Sequence, residues 1–152
     1  MKEIADEIRS AVRDAGPALA CMKPELVSVK PGADRWSKKE MLGHLIDSAA
    51  NNHQRFVRAG YGAAADFPPY SQNDWVRIQQ YGKSEWADLV ALWSAYNLHL
   101  CDVIERLPKE SLSAPCNIGR ADTVALEFVI RDYLRHLRHH LQAILPDKGG
   151  NA

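Results

Sequence analysis

The chain has 152 residues, of which 46% are hydrophobic and 25% are charged. These values are typical of one globular domain with a sizeable core, so we expect a single domain over residues 1–152, ending in a disordered tail from about residue 146. Basic and acidic residues number 19 each, and this neutrality gives no reason to expect nucleic acid or a membrane surface as a partner.

The three cysteines, Cys21, Cys101 and Cys116, are widely spaced and form no Cys-x-x-Cys pair. An odd number at such spacing argues against a disulfide framework and favours a reducing compartment. The acidic N-terminus does not resemble a secretory signal, and no apolar run reaches membrane-spanning length, so we expect a cytoplasmic protein. Cys101 is predicted to be buried in the packing of a helix. Cys116 falls in a predicted loop and is a candidate reactive thiol, although no neighbouring residue in the sequence indicates a lowered pKa.

The first predicted helix covers about Lys2 to Met22. Its apolar residues recur at roughly helical spacing: Ile4, Ile8, Val12 and Leu19. Gly16-Pro17 is expected to kink or interrupt this helix, and Pro24 and Pro31-Gly32 indicate a loop after it.

The second helix has a clear start signal. Ser37 is followed three residues later by Glu40, which is a capping box. Trp36 precedes the cap and Met41 is the fourth helical residue, so the two side chains can pack as a hydrophobic staple. We expect this helix to end near Ala59, because glycines follow it.

A long connection, Gly60 to Gly82, follows the second helix. Connections of this length in compact domains are often functional, and residues 73–80 are predicted to form a short helix within it. Tyr70, Asp74 and Trp75 are candidates for a lid over a site, although aromatic residues in such loops more often attach the loop to the body of the protein.

Two further helices complete the predicted architecture. Ser84 is expected to cap the third, which ends near Leu107, and Asp122 or Thr123 is expected to cap the fourth, which runs to about Leu145. Trp86 and Trp93, on the third helix, are predicted in the core or in a dimer interface. No segment alternates with period two, so the pattern predicts an all-α fold.

Histidines are the most informative residues of the chain. On the fourth helix, His136 and His140 continue the row of Val129 and Tyr133, beside a second apolar row, and thus lie on or next to the buried face. If the second and fourth helices are antiparallel neighbours, His44 lies at the same depth in the bundle. Three converging imidazoles form an open site for zinc, nickel, copper or iron, where a water molecule or a thiol is activated. The alternative is that these histidines are hydrogen-bonded structural residues.

The chain also resembles the DinB/YfiT-like superfamily of metal-binding helical bundles. The matching residues are Trp36-Ser37-x-x-Glu40-x-Leu42-x-His44-Leu45-x-Asp47-Ser48, Asn51, Arg55-Phe56, Tyr70-x-Gln72-x-x-Trp75 and Asp132-Tyr133-Leu134-x-His136-x-x-x-His140-Leu141-x-x-Ile144. The order and separation of these motifs carry the resemblance over most of the chain.

The resemblance implies a four-helix bundle with up-down-down-up connectivity, often a homodimer. It also implies that His44, His136 and His140 bind a divalent metal ion, typically zinc or nickel. Members of the superfamily resemble metal-dependent hydrolases, or transferases and isomerases that use low-molecular-weight thiols such as bacillithiol or mycothiol.

Residues near the histidines are candidates for roles in catalysis or binding. Asp47, three residues after His44, and Asp74 are candidate general bases, and Asp47 is also a candidate hydrogen-bond acceptor for a ligand imidazole. Asn51 and Arg55 share the helical row of His44 and, with Tyr70 and Trp75, are candidate substrate-binding residues; the alternative for Asn51 and Arg55 is an ordinary helix-end interaction.

Three hypotheses follow from the sequence. The first is a metal-dependent hydrolase or thiol-dependent transferase that acts on a small molecule. The second is a non-catalytic metal-binding protein, such as a sensor or storage dimer, and the third is a helical interaction module with structural histidines. An open coordination position favours the first, a closed site the second, and a lack of metal uptake the third.

Overall fold

A computed structural model describes residues 1–62, 66–119 and 121–145. The helices are α1 (Lys2–Ala20), α2 (Pro24–Ser28), α3 (Lys38–Gly60), α4 (Gln72–Gln79), α5 (Trp86–Arg106) and α6 (Leu126–Ile144). The remaining elements are 3₁₀ turns at Tyr81–Lys83 and Lys109–Ser113, and the short strands β1 (Pro115–Cys116) and β2 (Val124–Ala125).

The four long helices form an up-down-down-up bundle, which confirms the predicted fold. Helix α1 packs against α5 and α6, and α3 packs against the same two helices. Because α3 and α5 run in the same direction, the chain must return along the bundle between them, and the long connection makes this return.

The core follows the predicted helical faces. The apolar row of α1 is buried, as is the second apolar row of α6: Leu126, Ile130, Leu134, Leu137 and Leu141. Both tryptophans of α5 lie in this core; Trp93 is fully buried, and Trp86 donates its indole N–H to the carbonyl of Leu19 at 2.7 Å. These contacts assign the two residues to packing within one chain.

The start of α3 is fixed to the end of α6. The predicted capping box is present, with the Ser37 hydroxyl accepting from the Glu40 N–H and the Glu40 carboxylate accepting from the Ser37 N–H. The next residue, Lys38, donates a hydrogen bond to the carbonyl of Ile144. These bonds set the axial position of α3 relative to α6, on which the alignment of their histidines depends.

The predicted starts of two helices were wrong. Helix α5 begins at Trp86 with Glu85 as its N-cap, because the preceding 3₁₀ turn takes up Ser84. Helix α6 begins at Leu126, well after the proposed caps Asp122 and Thr123, because β2 pairs with β1 first. This strand pair is a small addition to an otherwise helical fold.

The first helix and the loop after it also differ from expectation. Helix α1 continues through Pro17 and ends at Ala20. Pro24 does not mark a loop but is the first residue of α2, where proline is favourable because the N–H that it lacks would have no helical partner. The predicted short helix in the long connection is confirmed as α4.

The second half of the connection is anchored on α3. The ring of Tyr81 lies directly on Gly43, where an added Cβ would come within 2.1 Å of it. The Tyr81 hydroxyl donates to the Asp47 carboxylate at 2.6 Å, and Gln79 donates to the same oxygen. This anchor holds the connection against the helix that carries His44.

Within the described part of the chain, no helix is both long and apolar enough to cross a bilayer. The predicted C-terminal tail lies outside the described residues.

Candidate metal centre

His44 lies in the second turn of α3 and is fully buried. Its ring packs against that of Trp36, with centroids 5.0 Å apart. The helix is placed here by its capping box, so the imidazole points from the start of α3 towards the second half of α6.

His136 and His140 are one turn apart on α6, and both are half-buried. Their ring centroids are 4.5 Å apart, which follows from the four-residue spacing that places side chains above one another on a helix. Both rings also contact that of His44, at centroid distances of 5.0 Å for His136 and 4.9 Å for His140.

The three histidines converge on one point. Each offers a ring nitrogen, and these atoms all lie within 4.8 Å of one another. The Nε2 atoms of His44 and His136 are 3.0 Å apart. Two ligands at zinc–nitrogen bond lengths in a tetrahedral site are separated by about 3.3 Å, so the His44–His136 pair is close to the separation that an ion requires.

Burial keeps these imidazoles neutral. Burial, together with a smaller effect of the neighbouring imidazoles, lowers the pKa of His44 to about 3 and that of His140 to about 4. Burial also lowers the pKa of His136, although the nearby Asp132 carboxylate opposes this shift. A neutral imidazole has a free lone pair, so no proton has to leave these side chains near neutral pH before an ion is bound.

The hydrogen bonding of His44 also fits an ion site better than a structural cluster. Among the described residues no group pairs with its buried Nδ1, and Nε2 is opposite only another imidazole. Buried structural side chains normally have their polar atoms paired. A set of three imidazole nitrogens with no carboxylate ligand suits zinc or nickel. The histidines are therefore able to hold a divalent metal ion.

A cavity of about 240 Å³ lies next to His136, between α3, α6 and the connection. Its polar lining comes from all three elements: Ser48, Asn52, Arg55, Tyr70, Gln72, Asp132, Tyr133 and His136. Val129, Ile118 and Pro69 add apolar surface. The cavity is large enough for a small organic molecule and brings such a molecule beside one of the three histidines.

Two of the four predicted substrate-binding residues line this cavity. Arg55 is half-buried in its wall, and Tyr70 lies opposite on the connection. Trp75 packs against Tyr70, with ring centroids 5.1 Å apart, and is not among the residues that line the cavity. Asn51 donates to the backbone carbonyl of Asp47 and is not among the residues that line the cavity.

The candidate general bases lie away from the histidines. Asp47 is buried beneath Tyr81 and Gln79, and burial raises its pKa. Asp74 is exposed near the start of α4, where it is paired with Arg77 at 3.0 Å. In the described residues, neither carboxylate is hydrogen-bonded to the histidine cluster.

Two cavity residues are not identified by the sequence patterns. Asn52, the neighbour of Asn51, faces the cavity and accepts from Arg55 at 3.4 Å. Asp132 lies one turn before His136, although residue spacing predicts it on a mostly polar side of the helix. Its four-residue spacing from His136 is a signal that could have identified it.

Cys116 is not the accessible thiol that its loop position predicts. It lies in β1 and is fully buried, and burial raises the pKa of its thiol. Cys101 is buried in α5, as predicted, and burial raises its pKa to about 11. Neither thiol is suited to act as a nucleophile near neutral pH.

Residues 7–144 match the profile of the DinB superfamily. No curated protein matches the sequence. Among solved structures, YfiT from Bacillus subtilis, described as a probable metal-dependent hydrolase with an unusual four-helix bundle topology, superposes with a TM-score of 0.77 at 16% identity. The alignment covers 94% of this chain and 81% of YfiT.

The mycothiol-dependent maleylpyruvate isomerase gives a TM-score of 0.76 at 12% identity. This alignment covers 93% of the present chain but only 59% of the isomerase, which is therefore considerably longer. At these identities the two structures establish a shared fold and nothing about the reaction.

Proposed function

Because this chain belongs to the DinB superfamily, we propose that it is a divalent-metal enzyme, a hydrolase or a thiol-dependent transferase acting on a small molecule. The observation that carries the proposal is the convergence of three ring nitrogens within 4.8 Å of one another beside a cavity. We further propose that residues 1–152 act as one domain.

His44, His136 and His140 hold the ion. When bound, zinc or nickel supplies Lewis-acid activation of a water molecule or of a small-molecule thiol. Three protein ligands leave at least one coordination position open, and the half-buried His136 and His140 lie on the side of the cluster that substrate can reach.

Asp132 is the acidic group best placed to assist. It lines the cavity together with His136, whereas Asp47 and Asp74 are engaged elsewhere. Asp132 accepts a hydrogen bond from Arg135, and this holds its carboxylate at the cavity wall. In that position it can accept a proton from a water molecule or a thiol that occupies the cavity.

A low-molecular-weight thiol is a reasonable second substrate. The support comes from the mycothiol-dependent isomerase with the same fold and from the buried state of Cys101 and Cys116, which makes either unsuitable as a nucleophile. A thiol-dependent reaction would therefore draw its sulfur from a diffusing molecule. The homodimer and the cytoplasmic location stay predictions.

The first test is metal content. We expect about one zinc or nickel ion per chain by elemental analysis after dialysis, and we expect it to be lost in the variant His136→Ala/His140→Ala, because a single remaining imidazole cannot retain an ion. The matched control is His53→Ala, which removes a histidine that contacts Tyr96 and His99 instead, and which should leave the metal content unchanged.

Three outcomes separate the hypotheses. Metal that is lost only in the double variant, together with a cobalt(II) spectrum that changes when small thiols or carboxylates are added, supports an open catalytic site. Tightly bound metal whose spectrum never responds favours a non-catalytic site. A wild-type protein that neither contains nor takes up metal leaves the histidines structural and ends the proposal.

A further inference from the structure

The cavity beside His136 holds a cationic group whose charge is only partly balanced. Arg55 is half-buried in its wall, and among the described residues no carboxylate lies within ion-pair distance of its guanidinium. Its hydrogen bond goes to the neutral amide oxygen of Asn52 at 3.4 Å. Removing a guanidinium from water without an anionic partner is unfavourable, so this arrangement indicates an anionic ligand.

The other charge of the cavity does not cancel Arg55. Asp132 lines the same cavity and acts on Arg55 at a distance, but its carboxylate is already paired with Arg135. The Arg55–Asp132–Arg135 group therefore carries one surplus positive charge. A ligand with one negative charge would neutralise it.

We propose that the substrate is a small carboxylic acid whose carboxylate is bound by Arg55 and Tyr70, and whose reacting carbon lies towards His136. This inference rests on the proposed metal function of the three histidines. The planar guanidinium fork matches the two oxygens of a carboxylate, which a lysine ammonium would not.

Tyr70 supplies the second donor. Its side chain faces the same cavity from the connection, and burial raises the pKa of its hydroxyl to about 12. It therefore stays protonated near neutral pH and can donate a hydrogen bond to an anion. Asn52 acts as a positioning residue: its amide nitrogen donates to the Ser48 carbonyl at 2.9 Å, which directs its oxygen towards Arg55.

The remaining lining defines the rest of the substrate. Val129, Ile118 and Pro69 present apolar surface in the same cavity. A cavity of about 240 Å³ has room for a short carbon chain. Carboxylate recognition at one end and an activated water or thiol at the other would direct the reaction to a carbon within a few bonds of the carboxylate.

Binding to the metal-free protein tests this inference, since without the ion only the protein groups can hold the carboxylate. The probes are straight-chain mono- and dicarboxylates of two to six carbons, each compared with its neutral amide, and inorganic phosphate. Binding is measured by isothermal titration calorimetry and by the shift in Tm. We expect at least one carboxylate to bind and its amide not to bind.

Arg55→Gln should weaken carboxylate binding about 10- to 100-fold, as expected for a charge-assisted hydrogen-bonded pair. Arg55→Lys should recover only part of this loss, and Tyr70→Phe should weaken binding by a smaller factor, because one hydrogen bond is removed. The control Arg13→Gln removes the same charge from an exposed position on α1 and should bind like the wild type. Circular dichroism verifies that each variant is folded.

The outcomes for the two proposals are distinguishable. If no carboxylate binds, or if binding is equal in wild type and Arg55→Gln, the inference is overturned. The metal content of the two proteins as purified is measured separately, and if it is normal the proposed metal function stands. Binding of phosphate but not of carboxylates also overturns it and indicates that Arg55 binds a phosphate group. Arg55-dependent carboxylate binding in a protein that never takes up metal would instead refute the metal function.

Discussion

Replacement of Gly43 by alanine should destabilise the protein, although the same change normally favours a helix. Gly43 lies inside α3, where alanine is preferred over glycine by about 1 kcal/mol. Its added Cβ, however, would lie 2.1 Å from Cδ2 and 2.2 Å from Cγ of Tyr81. Carbon atoms in contact are about 3.5–4.0 Å apart, so the ring has to move by more than an ångström.

The size of the effect follows from what the ring would lose. Overpacking of this kind costs about 1–3 kcal/mol. A displaced Tyr81 also withdraws its hydroxyl from the buried Asp47 carboxylate, and leaving such an acceptor short of a donor costs about 1–3 kcal/mol. After the helix preference is deducted, we expect the free energy of unfolding to fall by about 3 kcal/mol.

Urea unfolding followed by circular dichroism, with the metal-free protein, measures this change. The matched control is Gly82→Ala, because its added Cβ meets no atom within 4 Å and it lies next to Tyr81 in the chain. That control should be neutral or stabilising by up to about 1 kcal/mol. In a Tyr81→Ala background the clash is absent, so Gly43→Ala should no longer destabilise. If Gly43→Ala behaves like Gly82→Ala in the wild-type background, the inferred close packing is wrong.

Two further predictions concern titratable side chains. Burial raises the pKa of Asp47 above its unfolded value, so this group contributes stability that is present at low pH and lost as pH rises from about 4 through the folded pKa. The unfolding free energy of the wild type minus that of Asp47→Asn should therefore fall over that range and then level off. A difference that does not change with pH would contradict the ionisation of a buried Asp47. In the folded protein only the exposed Cys21 should react rapidly with a disulfide reagent, while Cys101 and Cys116 should react only after unfolding. Rapid labelling that persists in Cys21→Ser would show that a second thiol is accessible and would refute this prediction.

The histidine cluster could be predicted because its determinants are local. The Ser37–Glu40 capping box fixes the start of α3, and the four-residue spacing of His136 and His140 places both on one row of α6. Given an antiparallel pair of helices, their distances from the helix ends suffice to place His44 at the same depth. The capping box and the residue spacings are properties of the local sequence, whereas the antiparallel arrangement of the two helices had to be assumed.

The parts that were missed depend on partners distant in the chain. Neither Asp122 nor Thr123 caps α6, because Val124 first pairs with Cys116, and no local pattern reports a two-residue strand pair. Asn51 and Asn52 differ by about 100° around the helix, so the choice between them depends on where the cavity lies. The burial of Asp47 is set by Tyr81, which is 34 residues away in sequence.

The two ends of the site are supported by different parts of the fold. The histidines depend on the axial position of α3 against α6, which the capping box and the Lys38–Ile144 hydrogen bond maintain. Tyr70, by contrast, lies on the connection, which Gly43, Tyr81 and Asp47 attach to α3. Changes in the connection can therefore alter what the cavity accepts without moving the histidines. For this reason we expect Gly43→Ala to impair carboxylate binding more than metal uptake.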